Sequence, residues 1–515
     1  MRILLLSMPD SFEHTPSLTI RMPNGALSSL AGNVDAHHQV SIADLILVQS
    51  NIRETVEQLV SSLQPDLVGL SVMTFQRRTA LRIIALIRAI KPNVRFVVGG
   101  YDPSLATDVY EDPNLGIEFI VRGEGDLTFR DLVRAIEQHA TPEQLAHVDG
   151  LSFFDRTLNA FRHNRDRHVS TLEDIKLPNR GARVLSGYTF MGRPIDVIET
   201  SRGCTFDCSF CSIIEMRGRN FYRRAFDRIL EDIRDARARG TRCLFIVDDN
   251  IVLDVKRFEA LCQAIIDAGL NDIDYFVQAM TSSIAHHGET LAPLMRKAGF
   301  RYVFLGIENI LDDDLAFLKA SAKNAKRERG GRQVGNASLQ AIDYLHRHGM
   351  YVIGGLIVGS PDDTRESIET NLEFARRYVD WPYIQHPTPY PRTPMTKDFV
   401  EQGLVVNTNV EEYDGTTAVV KSKHLDADEI EFLRWRAERW MKTRHFPKAL
   451  WHDPLYVARH ARQMFQHTFR GATWKTMFGL EDERVAFRRY KELRKRERDF
   501  LPELATPPAL GEQAA

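Results

Sequence analysis

The strongest constraint on the fold is an alternation of short apolar runs with amphipathic helical stretches, present in two separate blocks. In the first, Ile3 to Leu6, Ser41 to Leu45, Leu67 to Ser71, Arg95 to Val98 and Phe119 to Val121 read as strands. Strand-helix alternation of this kind predicts a parallel sheet with helices on both faces. The second block runs Ile195 to Glu199, Cys243 to Val247, Tyr275 to Ala279, Tyr302 to Ile307 and Tyr351 to Val358, with a sixth strand near Tyr383 to Pro387. Helical segments such as Ala225 to Arg237 and Phe258 to Ala268 separate these strands, and a run of βα units this long closes into a full or partial barrel. Between the blocks, from Leu151 to Asp196, the pattern weakens into polar clusters and a turn at Pro178 to Gly181, which reads as a connector. From Asp426 onward the chain reads as helices, with Phe432, Trp435, Trp440 and Phe446 as core aromatics at helical spacing. The expected organisation is a doubly wound α/β domain at 1–150, a linker at 151–190, a partial (β/α) barrel at 191–400 and a helical region at 401–515, disordered from Ala505. A chain of 515 residues is too long for one core.

Ligands in both architectures bind beyond the carboxyl ends of the strands. In the first block that places three loops: Ser71-Val72-Met73-Thr74, Gly99-Gly100-Tyr101-Asp102-Pro103 and Arg122-Gly123-Glu124-Gly125-Asp126. Their glycines allow close backbone approach, although turn chemistry alone explains glycine pairs. A nicotinamide site is not expected, since Gly123-Glu124-Gly125 lacks the third glycine of that fingerprint. In the second block the first strand runs into Ser201-Arg202-Gly203-Cys204-Thr205-Phe206-Asp207-Cys208-Ser209-Phe210-Cys211, three cysteines spaced C-x3-C-x2-C. Three thiolates can hold three irons of a cubane cluster and leave the fourth open to substrate, whereas electron-carrying clusters take four cysteines. A structural zinc would want a fourth ligand nearby, and the next cysteine and histidine are Cys243 and His286.

The other barrel strands end in polar residues: Asp248-Asp249-Asn250, Gln278 on the third, Glu308 on the fourth, and Gly354, Gly355 and Ile357 along the fifth. Cys243 and Cys262 read as core residues. Lys319 to Arg332 holds six basic residues, one acid and Gly330-Gly331, and reads as a solvated loop in preference to a phosphate clamp. In the proline-stiffened loop after the sixth strand, Tyr390 and Arg392 either meet substrate or fix the turn.

The cysteine loop, with Phe210 before its last cysteine, closely resembles that of the radical S-adenosylmethionine (SAM) superfamily. The resemblance implies a 4Fe-4S cluster on Cys204, Cys208 and Cys211 whose open iron chelates SAM, and whose reductive cleavage of SAM gives a 5'-deoxyadenosyl radical. It places Asp248 and Asp249 beside the methionine end of SAM, Glu308 near the ribose, and Gly354, Gly355 and Ile357 along the adenine. A doubly wound domain ahead of such a barrel, ending in Gly-Glu-Gly-Asp, resembles the cobalamin-binding domain of cobalamin-dependent radical SAM methyltransferases. That implies Ser71, Met73, Thr74, Gly99, Gly100, Tyr101, Gly123, Glu124 and Gly125 around the corrin and its tail. Asp35-Ala36-His37-His38-Gln39-Val40 lacks the glycine of the D-x-H-x-x-G cobalt-ligand motif and precedes the second strand. Cobalamin is therefore expected base-off, with His37 and His38 as exposed linker residues.

The opening Met1-Arg-Ile-Leu-Leu-Leu-Ser-Met-Pro-Asp-Ser-Phe-Glu-His-Thr-Pro16 and the overall length resemble the hopanoid C-3 methylases. The implied activity is methylation of an unactivated carbon by methylcobalamin, on a lipid-like substrate, with a flavodoxin- or ferredoxin-type electron donor. The alternatives are a cobalamin-dependent radical cyclase or rearrangement enzyme, and a non-catalytic iron-sulfur and corrinoid carrier. A net charge of −2 points to no nucleic-acid partner. Five cysteines, three in the loop, form no disulfide framework, and no stretch is apolar enough to span a bilayer. The expected location is the cytoplasm, with peripheral contact to the inner membrane.

Overall fold

The computed structural model describes residues 1–10, 20–168, 171–329, 332–477 and 479–498. Residues 11–16 of the opening run, Gly330-Gly331 and the tail expected to be disordered from Ala505 lie outside these. The first sheet holds β1 (Arg2–Ser7), β2 (Gln39–Asp44), β3 (Leu67–Ser71), β4 (Arg95–Gly99), β5 (Phe119–Val121), β6 (Leu151–Asp155) and β7 (Ala160–His163). Its order is β2-β1-β3-β4-β5-β6-β7, parallel through β5 and antiparallel beyond. The strands are continuous apolar runs because both faces are covered: Leu4 and Leu6 of β1 pack into one core, Ile3 and Leu5 into the other. The order reverses at β1 and β3, so the ligand crevice falls at the loops leaving those strands.

The second sheet holds β8 (Arg193–Ile198), β9 (Cys243–Ile246), β10 (Asp274–Met280), β11 (Phe300–Glu308), β12 (Tyr351–Ile357) and β13 (Trp381–Gln385), all parallel and in sequence order. It curls without closing. Thr189–Phe190 adds an antiparallel edge to β8, and Ile20–Arg21, from the N-terminal part of the chain, adds another to that. Outward side chains such as Leu244, Val277 and Val303 pack under the helices; inward ones, Phe245, Phe276, Tyr302 and Tyr351, fill the lumen. Tyr456 and Val457 of helix Pro454–Thr468 plug this aromatic core. Cys243 and Cys262 are both fully buried in these cores.

Three expectations change. Leu151 to His163, expected in the linker, is the β6–β7 hairpin that extends the first sheet, because Leu151 and Phe153 bury one face of it. The rest of the connector is clamped. Buried Arg180 pairs with Asp196 (3.1 Å) and Asp232 (2.5 Å), while Arg183 pairs with Asp196 (2.7 Å) and reaches Ser28. Ala325–Arg329 and Arg332–Asn336 form an antiparallel hairpin where a solvated loop was expected. Of the four C-terminal aromatics expected in the core, Phe432 and Trp435 pack with Phe487, whereas Trp440 and Phe446 are exposed, since α-helix Ala427–His452 runs past the residues that cover its first half.

Candidate functional site

After β8 the chain makes a short antiparallel pair, Ser201–Arg202 with Tyr222–Arg223, that frames the cysteine loop. Gly203 at its start has φ +95°, and a Cβ there would sit 2.0 Å from Asn220 Oδ1, so only glycine fits. The acids after β9 hold the loop. Buried Asp248 accepts from Thr200 N (2.6 Å), Thr200 Oγ1 (2.5 Å) and Ser201 Oγ (2.5 Å). Burial pushes its pKa up to about 6 against those hydrogen bonds. Asp248 was expected beside the methionine end of SAM; its carboxylate is instead spent on the loop. Asp249 accepts from Gly203 N (2.8 Å) and Arg217 (3.2 Å) and stands at a cavity wall.

Cys208 is buried with Ile357, Met395 and Phe399, and Phe210 packs alongside. Ser209 pins the loop to the barrel, its N and Oγ donating to Leu318 O and Phe317 O at 3.0 Å each. Burial pushes the Cys208 thiol up to about 12 and Cys211 up to about 11, against a smaller pull from Lys323. Thiols so placed keep their protons until a metal takes the protons' place. The donor set fits a multi-iron cluster held at three corners.

Lys323, placed in a loop by the sequence reading, instead sits in helix Ser321–Asn324 with Nζ 2.8 Å from Glu308 Oε1. Burial works against its charge, but Glu308 and then Cys208 outweigh it and hold the amine above the ordinary lysine value. Glu308 has φ +59° where the β11–β12 register slips, and strain of this kind gathers at functional sites. Lys323→Met leaves Glu308 without a counter-charge and is expected to cost about 3 kcal/mol, read by urea unfolding; Lys323→Arg should recover most of it. Gly354 and Gly355 are close-packed on the side a Cβ would take: Val379 methyls would stand 2.8 Å from a Cβ on the first, and the Phe304 ring 2.7 Å from one on the second. Gln278 follows Phe276 on the lumen side of β10. Tyr390 fixes its turn, donating to Tyr413 O (3.1 Å) and accepting from Thr393 and Thr396; Arg392 is exposed.

The carboxyl ends of both sheets border one cavity of 390 Å³, within the range of cofactor sites. From the first sheet come Ser71 and Met73, then Gly99, Gly100 and Tyr101, then Gly123, Glu124 and Gly125. Thr74 is not among the lining; it is buried in the 3-10 turn Thr74–Gln76. Gly100 has φ +104° and a Cβ there would lie 2.9 Å from Val72 O, so glycine keeps this wall open. The barrel side supplies Glu199, Arg202, Met216, Arg217 and Asp249. Burial pushes the Tyr101 phenol up to about 12, with Arg217 pulling it down.

Buried Arg202 joins the two halves. It donates to Glu199 through Nε and Nη2 (2.9 Å each), and through Nη1 to Glu124 (2.9 Å) and Asp126 (2.8 Å) of the first unit. The acids of Gly-Glu-Gly-Asp are therefore turned to the cysteine loop, Glu124 through its Oε2 while it also borders the cavity. Arg202 and Lys323 escaped the sequence reading because no local pattern pairs residues so far apart in the chain; the two acids flanking Gly125 were the only hint. His37 and His38 lie at the amino end of β2, the opposite end of the sheet from the cavity. His38 is not the exposed residue expected but is buried against Met1 and Glu137.

Comparison with known families agrees with this geometry. Residues 198–375 match the radical SAM superfamily and residues 19–133 match the B12 binding domain. The chain belongs to the cobalamin-binding radical SAM enzymes. The family's cofactors are a 4Fe-4S cluster, SAM and cobalamin. This radical SAM enzyme is 26% identical to an uncharacterized methyltransferase of Pyrococcus horikoshii, over 85% of this chain and 91% of that one. It is 24% identical to the anaerobic magnesium-protoporphyrin IX monomethyl ester cyclase of Rubrivivax gelatinosus (84% and 75% covered). It is 27% identical to the hopanoid C-3 methylase of Methylococcus capsulatus, over 58% of this chain and 53% of that one. The fold is similar to that of the cobalamin-dependent SAM radical enzyme OxsB (TM-score 0.63, 16% identity, 98% and 82% covered). It is also similar to the radical SAM methyltransferase TsrM from Kitasatospora setae (TM-score 0.60, 19% identity, 78% and 75% covered).

Proposed function

We propose that this enzyme adds a methyl group to an unactivated carbon of an apolar polycyclic substrate, with C-3 of a hopanoid as the specific target. The observation that carries the reading is the single cavity bordered by the cysteine-loop side of the barrel and by all three loops of the first sheet. When bound, the cluster and SAM supply a radical that abstracts hydrogen, and cobalamin supplies the methyl group. The chain's own contribution is positional. Cys204, Cys208 and Cys211 offer three thiols at one end of the barrel, Asp248 and Asp249 fix their loop, and Arg202 locks that loop to the glycine-rich wall opposite. A carbon without a nucleophilic lone pair needs both halves at once, which is what the shared cavity permits.

The apolar lumen, with Phe304, Trp381 and Tyr383 only partly covered, supports a greasy substrate. A second feature supports work at a bilayer surface. No helix among the described residues is long and apolar enough to cross a membrane. Yet Trp451 and Leu455, at the junction of helices Ala427–His452 and Pro454–Thr468, are 88% and 83% exposed, and Trp440 shares a helical face with Trp451. From Trp440 to Lys475 the chain carries seven Lys and Arg against the single acid Asp453, the composition of an interfacial segment. Trp451→Ser with Leu455→Ser is expected to weaken co-sedimentation with anionic phospholipid vesicles about tenfold or more, with catalysis on a detergent-dispersed substrate unchanged. A flavodoxin- or ferredoxin-type protein is the proposed electron source.

Ring closure is the second reading, favoured by the magnesium-protoporphyrin ester cyclases aligning over more of this chain than the hopanoid methylase does. Anaerobic protein with cluster, cobalamin, SAM and reductant separates the two, given a bacterial lipid extract in one vessel and magnesium-protoporphyrin monomethyl ester in another. A lipid heavier by one CH2 is expected; a cyclised porphyrin with no heavier lipid would select the cyclase.

A further inference from the structure

At the far end of the first sheet, the turn between helix Gly25–Asn33 and β2 carries His37 and His38 side by side, ring centroids 4.0 Å apart. Both turn Nε2 toward Glu137, the last residue of helix Gly125–Glu137: His37 Nε2 is 2.8 Å from Oε1 and His38 Nε2 is 3.6 Å from Oε2. The three ligand atoms lie within 4.8 Å of one another, the one such set of His, Cys, Asp and Glu among the described residues. His38 is 7% exposed; its Nδ1 meets the Met1 amino group at 3.1 Å, while its Nε2 has no hydrogen-bond partner. A buried ring nitrogen aimed at a carboxylate and a second imidazole, without a hydrogen bond of its own, is the arrangement a cation completes.

We propose that His37, His38 and Glu137 bind one borderline divalent cation of the zinc class, with the remaining coordination positions open to water. Two imidazoles and one carboxylate suit zinc, cobalt or nickel and disfavour magnesium and calcium, which take oxygen ligands. The site is prepared without the ion. Arg134, one helical turn before Glu137, holds Asp35 of the same turn by two hydrogen bonds of 2.6 and 2.7 Å, so the turn and the helix are already registered. This ion is distinct from both family cofactors: the site holds no thiol, and none of its three residues lines the cavity. A bound ion clasps the turn after helix Gly25–Asn33 to the last turn of helix Gly125–Glu137 and stabilises the first unit by mass action.

The test uses untagged protein already carrying its cluster and cobalamin, so that the cysteine loop is occupied, titrated with zinc chloride in a calorimeter. One zinc per chain is expected, and His37→Ala and Glu137→Gln, both at exposed side chains, should weaken it about tenfold or more. His38→Ala should do the same, and zinc should raise the melting temperature of the parent protein but of none of the three variants. Equal zinc affinity in parent and variants, zinc uptake that only bleaches the cluster, or no uptake at all would each overturn the proposal.

Discussion

Arg202→Met should lower the unfolding free energy by about 3–5 kcal/mol, the larger of the two strongest structural effects anticipated for this enzyme. Arg202 is buried, and its guanidinium serves three carboxylates, Glu199, Glu124 and Asp126. Methionine fills similar volume but leaves those acids in a low-dielectric pocket, with Arg224 at 3.4 Å from Glu199 and Ser29 on Asp126 as the remaining help. The cost falls on the contact between the cysteine loop and the glycine-rich loop, so cobalamin retention should drop together with melting temperature. The pH dependence has a defined sign. Burial raises the pKa of Glu199 and Asp126, but Arg202 outweighs it and holds both below the ordinary carboxylate range. Their contribution is complete above the unfolded carboxylate pKa and is lost as pH falls through the depressed folded values. Parent and Arg202→Met should therefore converge in stability on acidification and diverge toward neutrality, as followed by denaturant midpoints across that window.

Alanine at Cys204, Cys208 and Cys211 together should abolish cluster absorbance and all SAM cleavage while leaving cobalamin bound. The cysteines follow β8 of the barrel, whereas Gly99, Gly100 and Gly123 belong to the first sheet and line the cavity, so the two sites are separable. Cys243 and Cys262 cannot substitute, since both lie in apolar core with no exposure, and burial pushes both thiols up, Cys243 to about 12. Deoxyadenosine release by the triple variant, quantified by chromatography, would remove the cluster from those cysteines. Loss of cobalamin along with the cluster would mean that the loop also shapes the opposite wall.

The strands were legible because each is a short apolar run buried on both faces, and the observed bounds, such as Arg2–Ser7 for a run read as Ile3 to Leu6, differ there only by one polar residue at each end. The β6–β7 hairpin was not, because Ala160–His163 is half-buried to exposed and Arg162 and His163 dilute the pattern. The cysteine spacing and the glycine pairs are local, and local motifs survive in a single sequence. What the sequence could not disclose is which distant charge answers which: Lys323 to Glu308, or Arg202 to Glu124 and Asp126. The neighbours of Gly354 and Gly355 needed the fold too: Val379 and Phe304, side chains from other elements, stand where their Cβ atoms would be. His38 was read as exposed for want of knowing that Glu137 and Met1 close over it.

Methyl transfer is tested by anaerobic turnover with SAM labelled by deuterium in its methyl group, using protein that carries its cluster and cobalamin and a hopanoid-containing lipid extract. Deoxyadenosine and product mass are read from the same vessel. Deoxyadenosine is expected together with a lipid in which one hydrogen has been replaced by a labelled methyl group, and both should be lost in the triple cysteine variant. Deoxyadenosine formed at the same rate with no labelled methyl in any product would contradict methyl transfer as the reaction of this enzyme.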